Sequence, residues 1–90
     1  TTLKFYVVYV LASLKDGKSY IGITTNLNRR YSEHEQGLVF STKGRRPFRI
    51  IYFEGCLSKD DAYRREHYLK TTGGRRFLAK RLKCYKAAEL

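Results

Sequence analysis

Acidic residues are scarce in this sequence. Among 90 residues there are 8 Asp and Glu against 19 Lys and Arg, a formal net charge of +11. Solubility asks a small domain for a net charge of magnitude about 2–8. The excess points to a polyanionic partner, nucleic acid first and an anionic membrane surface second. Cysteine is equally sparse. Cys56 and Cys84 form neither a metal-binding spacing nor a disulfide framework. Two lone thiols fit a reducing, cytoplasmic compartment. No apolar run approaches the roughly 20 residues that a membrane span needs. The opening TTLKFYVVYVLAS lacks a basic start and its apolar positions alternate, so no secretory leader is expected. Repeats and low-complexity segments are also absent.

What remains is a chain 42% hydrophobic, enough for a globular fold. Residues 1–90 are expected to form one domain, with a small core that buries about 60–65% of the unfolded surface. Residues 5–13, FYVVYVLAS, and 19–24, SYIGIT, are β-branched and aromatic, with Asp16-Gly17 between them as a turn. A two-residue turn sets Ser13 opposite Tyr20, Leu11 opposite Gly22 and Tyr9 opposite Thr24. Alternation puts those six side chains on one face and Val8, Val10, Ala12, Ile21 and Ile23 on the other. The second set is a clean core face. The first is more polar, with a gap at Gly22.

Thr25 or Asn26 can cap a helix from Asn26 to Gln36, stopped by Gly37. FRIIYFE, residues 48–54, reads as a third strand. Ser58 caps a second helix over 59–71, with Asp60 and Asp61 in the first turn where the dipole favours them. Gly73-Gly74 ends it, and RRFLAKRLKCY makes a third, basic helix with Phe77, Leu78 and Leu82 inward. The order β-β-α-β-α-α gives an α/β or α+β sandwich of three strands flanked by three helices.

Several polar residues fall where packing alone does not require them. Tyr9 and Tyr20 share the face with the gap. Tyrosine in a strand is ordinarily a packing residue, but a strand glycine often marks the close approach of a ligand or another backbone. Arg30 lies within a turn of the inward residues Leu27 and Tyr31. His34 stands four residues on, its neighbour on the helix surface. Ala62, Glu66 and Leu69 form an inward stripe on the second helix. A glutamate there needs compensation. One form is an ion pair with Arg64, Arg65 or Lys70. The other is a bound Mg²⁺, which takes one or two carboxylates and fills its remaining sites with water and phosphate oxygens. Lys43, Arg45 and Arg46 in the loop, and Arg75, Arg76 and Lys80 near the C-terminus, are either solvated decoration or phosphate contacts. Phe40 and Phe48 flank the loop where a base can stack.

VVY at 7–9, YIG at 20–22, TNLNRRYSEH at 25–34 and REHYLK around Glu66, taken in that order, resemble the GIY-YIG nuclease superfamily, and most closely its small stand-alone bacterial members. The likeness runs from about residue 4 to 82. Val7 and Val8 stand where the family has Gly and Ile, Ile23 stands where some members have a basic residue, and TTGGRRFLAK offers no counterpart to an asparagine that several of these nucleases use. The resemblance implies a small antiparallel sheet with flanking helices and a metal-dependent DNA endonuclease that hydrolyses phosphodiester bonds, with structure-selective work in repair or recombination within its range. It implies Tyr9, Tyr20, Arg30, His34 and Glu66 as catalytic residues and Glu66 as the ligand of Mg²⁺ (or Mn²⁺). On the expected register the two phenols converge only by leaning over Gly22, which is thus expected to make room for the scissile phosphate. Arg30, the metal and the positive field are expected to favour phenolate at Tyr9 or Tyr20. The implied partner is DNA, branched or flapped, with room for a protein partner and no small-molecule cofactor. The alternative is a basic module that binds DNA or RNA and cuts nothing.

Overall fold

A computed structural model describes residues 3–88. Strands β1 (Tyr6–Ser13), β2 (Ser19–Thr24) and β3 (Phe48–Cys56) form one antiparallel sheet in the order β2-β1-β3. Helix α1 (Leu27–Glu35) follows β2, and a single 3₁₀ turn, Lys43–Arg45, precedes β3. Helices α2 (Lys59–Leu69), α3 (Thr72–Arg81) and α4 (Lys83–Ala88) complete the chain. The α+β architecture is the expected one, with four helices in place of three, because the last helical segment divides at Leu82.

Local chemistry sets the boundaries. Asn26 caps α1, its side chain accepting from the Arg29 N–H, and Gly37 ends the following turn with φ +77°. Ser58 caps α2 in the same way through the Asp61 N–H. The second helix ends earlier than expected. Thr71 caps a new helix by accepting from the Gly74 N–H, so Gly73 and Gly74 open α3 and do not break α2. A side chain on Gly74 would collide with the Tyr68 carbonyl oxygen, so the glycine is what lets α3 start so close against the end of α2.

The hairpin corrects the expected register. Ser13 N–H donates to the Lys18 carbonyl, Gly17 N–H donates to the Ser13 carbonyl, and Gly17 takes φ +71°. The Ser13 hydroxyl accepts from both the Lys15 and Asp16 N–H groups at 3.1 Å. Four residues, Leu14 to Gly17, therefore form the loop, not two. The pairing moves by two residues: Tyr9 faces Gly22 and Leu11 faces Tyr20. A shift of two keeps every side chain on its expected face.

Both faces of the sheet carry core, where only one was expected to. Val8 and Val10 pack with Ala62 and Leu69 from α2, Leu78 from α3 and Leu82, which caps the end of α3. On the other side Tyr9, Leu11 and Phe48 are buried beneath α1, with Leu27, Tyr31, Tyr20 and Ile50 around them. Phe48 is 2% exposed and so belongs to this core, not to a base-stacking loop; Phe40 is 85% exposed.

Candidate active site

The α1 face of the sheet holds a closed group of polar aromatic residues. His34 is wholly buried. Its ring lies 5.8 Å from that of Tyr9, 5.1 Å from Tyr20 and 6.0 Å from Phe48, centroid to centroid. The Tyr9 and Tyr20 rings are 6.3 Å apart. His34 Nε2 is 2.9 Å from the Tyr9 hydroxyl, and its Nδ1 is 2.8 Å from Thr42 Oγ1. The Thr42 hydroxyl donates to the Val39 carbonyl. Thr42 therefore accepts from Nδ1–H, and Nε2 accepts the proton of Tyr9. Thr42 is itself buried and comes from the loop after α1.

Arg30 reaches the same phenol and pairs with Glu33 at 3.1 Å. Burial raises the Tyr9 pKa above its ordinary value, and the hydrogen bond from Arg30 only partly offsets that. The expected shift of this phenol toward phenolate is therefore reversed in the free protein. Burial also lowers the His34 pKa, Arg30 lowers it further, and Glu33 and Glu35 oppose both. Near neutrality the pair is a neutral phenol donating to a neutral imidazole.

Gly22 explains how Tyr9 fits. A Cβ at Gly22 would stand 2.5 Å from the Tyr9 hydroxyl oxygen and 2.6 Å from its Cζ. The tyrosine ring lies across its cross-strand partner, so the gap read at Gly22 is filled by Tyr9 itself. The glycine makes room for the phenol and, through it, for the contact with His34.

Glu66 stands in the other layer, on α2, whose Ala62 and Leu69 pack with Val8 and Val10. Its side chain is 17% exposed and pairs with Lys70 at 3.3 Å. The other two expected partners are taken. Arg64 pairs with Asp61 at 2.8 Å, and Arg65 binds Glu54, which also accepts from the Tyr52 hydroxyl at 2.6 Å. The structure thus gathers Tyr9, Tyr20, Arg30 and His34 through direct contacts, while Glu66 is held on a separate helix.

The basic residues divide. Arg45 is fixed on Asp16 at 2.9 Å, and this pairing, with the Lys18 N–H, holds the Asp16 carboxyl at about 2. Arg46 donates to the Lys43 and Glu35 carbonyls, and Lys43 lies over the Phe40 ring. Arg75 and Arg45 line a cleft of about 780 Å³ with Lys18, Lys70 and Lys86 over an apolar floor. Arg76 and Lys80 are exposed on α3. Thr42 and Glu33 were not legible as site residues. Thr42 acts through His34 from the loop after α1 and Glu33 through Arg30 one turn away, and no motif marks either.

The buried tyrosine–histidine pair and the arginine that acts on the same phenol lie on one side of the sheet, and the Glu66 carboxylate lies on α2 in the other layer. A family model described as the GIY-YIG catalytic domain matches residues 5–85. The chain belongs to the GIY-YIG family, a class of nuclease domains. Its relatives include a UPF0213 protein of Desulfotalea psychrophila, 37% identical over 67 residues that make up 72% of this chain and 60% of that protein. Another, of Clostridium perfringens, is 41% identical over 70% of this chain and 68% of its own length. The chain thus spans only 60% of the first of these relatives. The solution NMR structure of a UPF0213 protein from Bacillus halodurans superposes with a TM-score of 0.53 at 34% identity, covering 84% of this chain and 83% of that one. No helix among the described residues is long and apolar enough to cross a membrane.

Proposed function

We propose that this chain is a divalent-metal-dependent endonuclease that hydrolyses DNA phosphodiester bonds, acting on branched or flapped DNA in repair or recombination. The observation that carries this reading is the buried proton path from Tyr9 to His34, with Arg30 on the same phenol. Tyr9 is 1% exposed. A phosphate that draws Arg30 away from Glu33 opens the hydroxyl and receives the guanidinium on its non-bridging oxygens. An attacking water then gives its proton to the Tyr9 oxygen while Tyr9 passes its own to His34 Nε2. The water oxygen bonds to phosphorus, the phosphorus–oxygen bond to the leaving nucleotide breaks, and the leaving oxygen is protonated from solvent. A raised phenol pKa suits this relay, because Tyr9 never has to exist as a free phenolate. Tyr20 offers a second O–H donor on the same face.

Among the described residues no three His, Cys, Asp or Glu side chains come together as a metal cage. Glu66, half-buried and among the described residues paired with an exposed lysine, fits an ion that takes a single protein carboxylate. Glu66 would hold such an ion in place of its pair with Lys70, and Mg²⁺ or Mn²⁺ would supply Lewis-acid charge there.

The ion pair on Glu66 also favours a second reading, a basic module that holds nucleic acid without cutting it. Nicked, flapped and supercoiled DNA incubated with the protein in Mg²⁺, with and without EDTA, separates the two. Products that vanish with EDTA are expected. Retarded bands with no products in either condition leave the binding module.

A further inference from the structure

Helix α1 covers only part of the tyrosine face. It packs over Leu11, Phe48 and Ile50, toward the hairpin end. Beyond it the face continues bare. Phe53 pairs with Tyr9 across β1 and β3 and is 60% exposed. Cross-strand partners share a face, so the Phe53 Cβ stands about one strand spacing from that of Tyr9, roughly 5 Å, while the Tyr9 ring itself leans the other way over Gly22. Two residues along β3, Gly55 pairs with Val7 and lies on the same face. A Cβ built there would meet the Phe5 ring at 3.3 Å, so Phe5 lies over Gly55, and it is 43% exposed. Two uncovered aromatic rings therefore lie on the sheet face that carries Tyr9, on the β3 side of it.

Exposed phenylalanines on a strand face cost solubility and supply no fold stability that a polar residue would not. They are useful if a flat apolar partner covers them. On the same face as the phenol that Arg30 acts on, in a chain of net charge +11, the partner with matching chemistry joins a flat π-face to a negative phosphate. We propose that Phe53 and Phe5 form a stacking platform for an unpaired DNA base adjacent to the phosphate that Arg30 holds. This rests on the nuclease reading and deepens it. A base in a duplex is stacked and unavailable, so the platform selects DNA that is single-stranded at the nucleotide beside the cut. A flap or a gap provides that and an intact duplex does not.

The test reads binding without cleavage. Single-stranded oligonucleotides carrying 2-aminopurine, and blunt duplexes of the same sequence, are titrated in EDTA with the parent protein and with Phe53→Ala, Phe53→Trp and Phe5→Ala. Stacking is expected to quench the fluorophore. Phe53→Ala should weaken single-strand binding roughly 5- to 100-fold, the range of one lost aromatic stack. Phe53→Trp should restore it, and duplex binding should not move. Circular dichroism confirms that each variant folds. Equal single-strand affinity in Phe53→Ala and parent overturns the platform. So does a concentration-dependent dimer that Phe53→Ala abolishes while leaving oligonucleotide binding intact, since the patch would then belong to a second copy. If quenching follows the expected pattern yet no metal-dependent cleavage occurs in the assay above, the platform stands and the nuclease reading falls.

Discussion

The Tyr9 hydroxyl and His34 Nε2 lie 2.9 Å apart in the interior, joining the first strand to the far end of the first helix. His34 can accept a proton only while neutral, and burial with Arg30 nearby holds its pKa below the ordinary value of about 6.5. Cleavage rate should therefore climb with pH on the acid side and level off before about 6.5. Tyr9, its pKa raised, adds no falling limb below about 10. His34→Gln should lower kcat by about 10²–10⁴ and flatten the acid limb. A variant with undiminished kcat and the same profile would remove His34 from the relay. The readout is single-turnover kinetics from pH 5 to 9.

The same burial makes folding pH-dependent. A histidine whose folded pKa lies below its unfolded value contributes stability in full above the unfolded pKa, about 6.5. As pH falls below that point the unfolded chain takes up a proton first, and stability is lost until the folded pKa is reached. Urea midpoints should thus decline from pH 7 toward pH 5 in the parent and decline less in His34→Gln. Thr42→Val leaves Nδ1–H buried without an acceptor, at a cost of about 1–3 kcal/mol at pH 7. Parallel pH slopes for parent and His34→Gln would show that other groups set the acid response.

At Gly22 the Tyr9 ring occupies the space of a side chain, with the hydroxyl 2.5 Å from where a Cβ would be. Tyr9 is too enclosed to swing away. Gly22→Ala should cost about 1–3 kcal/mol by overpacking. It should also pull the hydroxyl off His34 and depress kcat more than KM. Gly22→Ala combined with Tyr9→Phe should lose little activity beyond Tyr9→Phe alone, because both act on one hydroxyl. Additive losses in this double-mutant cycle would mean that the glycine serves the phosphate directly.

Much of this was readable in the chain. Asn26, Ser58 and the alternation of FYVVYVLAS act locally, and the helices and strands fall where those signals put them. Residue parity also placed Tyr9, Tyr20 and Gly22 on one face, since a slip of two residues preserves parity. The register itself was not readable. It depends on the Ser13 hydroxyl tying down two N–H groups in a four-residue loop, where Asp16-Gly17 alone suggested two. Thr42 was hidden for a different reason. Its role exists only because the loop after α1 folds back onto His34, a contact that no local pattern announces. The burial of Phe48 has the same origin, as α1 closes over a face that looked half-polar.

Lys70 and Glu66 stand one turn apart on α2 at 3.3 Å, the lysine side chain 53% exposed. An i,i+4 pair whose lysine end lies in solvent is worth about 1 kcal/mol. A divalent ion at the same carboxylate therefore displaces it readily, and removing it should help the ion. Lys70→Met, which keeps most of the aliphatic stem, is expected to lower the Mg²⁺ concentration for half-maximal cleavage by up to about fivefold, the equivalent of that pair energy. Glu66→Gln should abolish the Mg²⁺ response while leaving the metal-free binding of flapped DNA nearly unchanged. Isothermal titration with Mn²⁺ gives a readout independent of activity: heat of binding in the parent, tighter binding in Lys70→Met, none in Glu66→Gln. If Mn²⁺ binds Glu66→Gln as it binds the parent, the ion sits elsewhere and Glu66 serves only to anchor Lys70 beside the cleft.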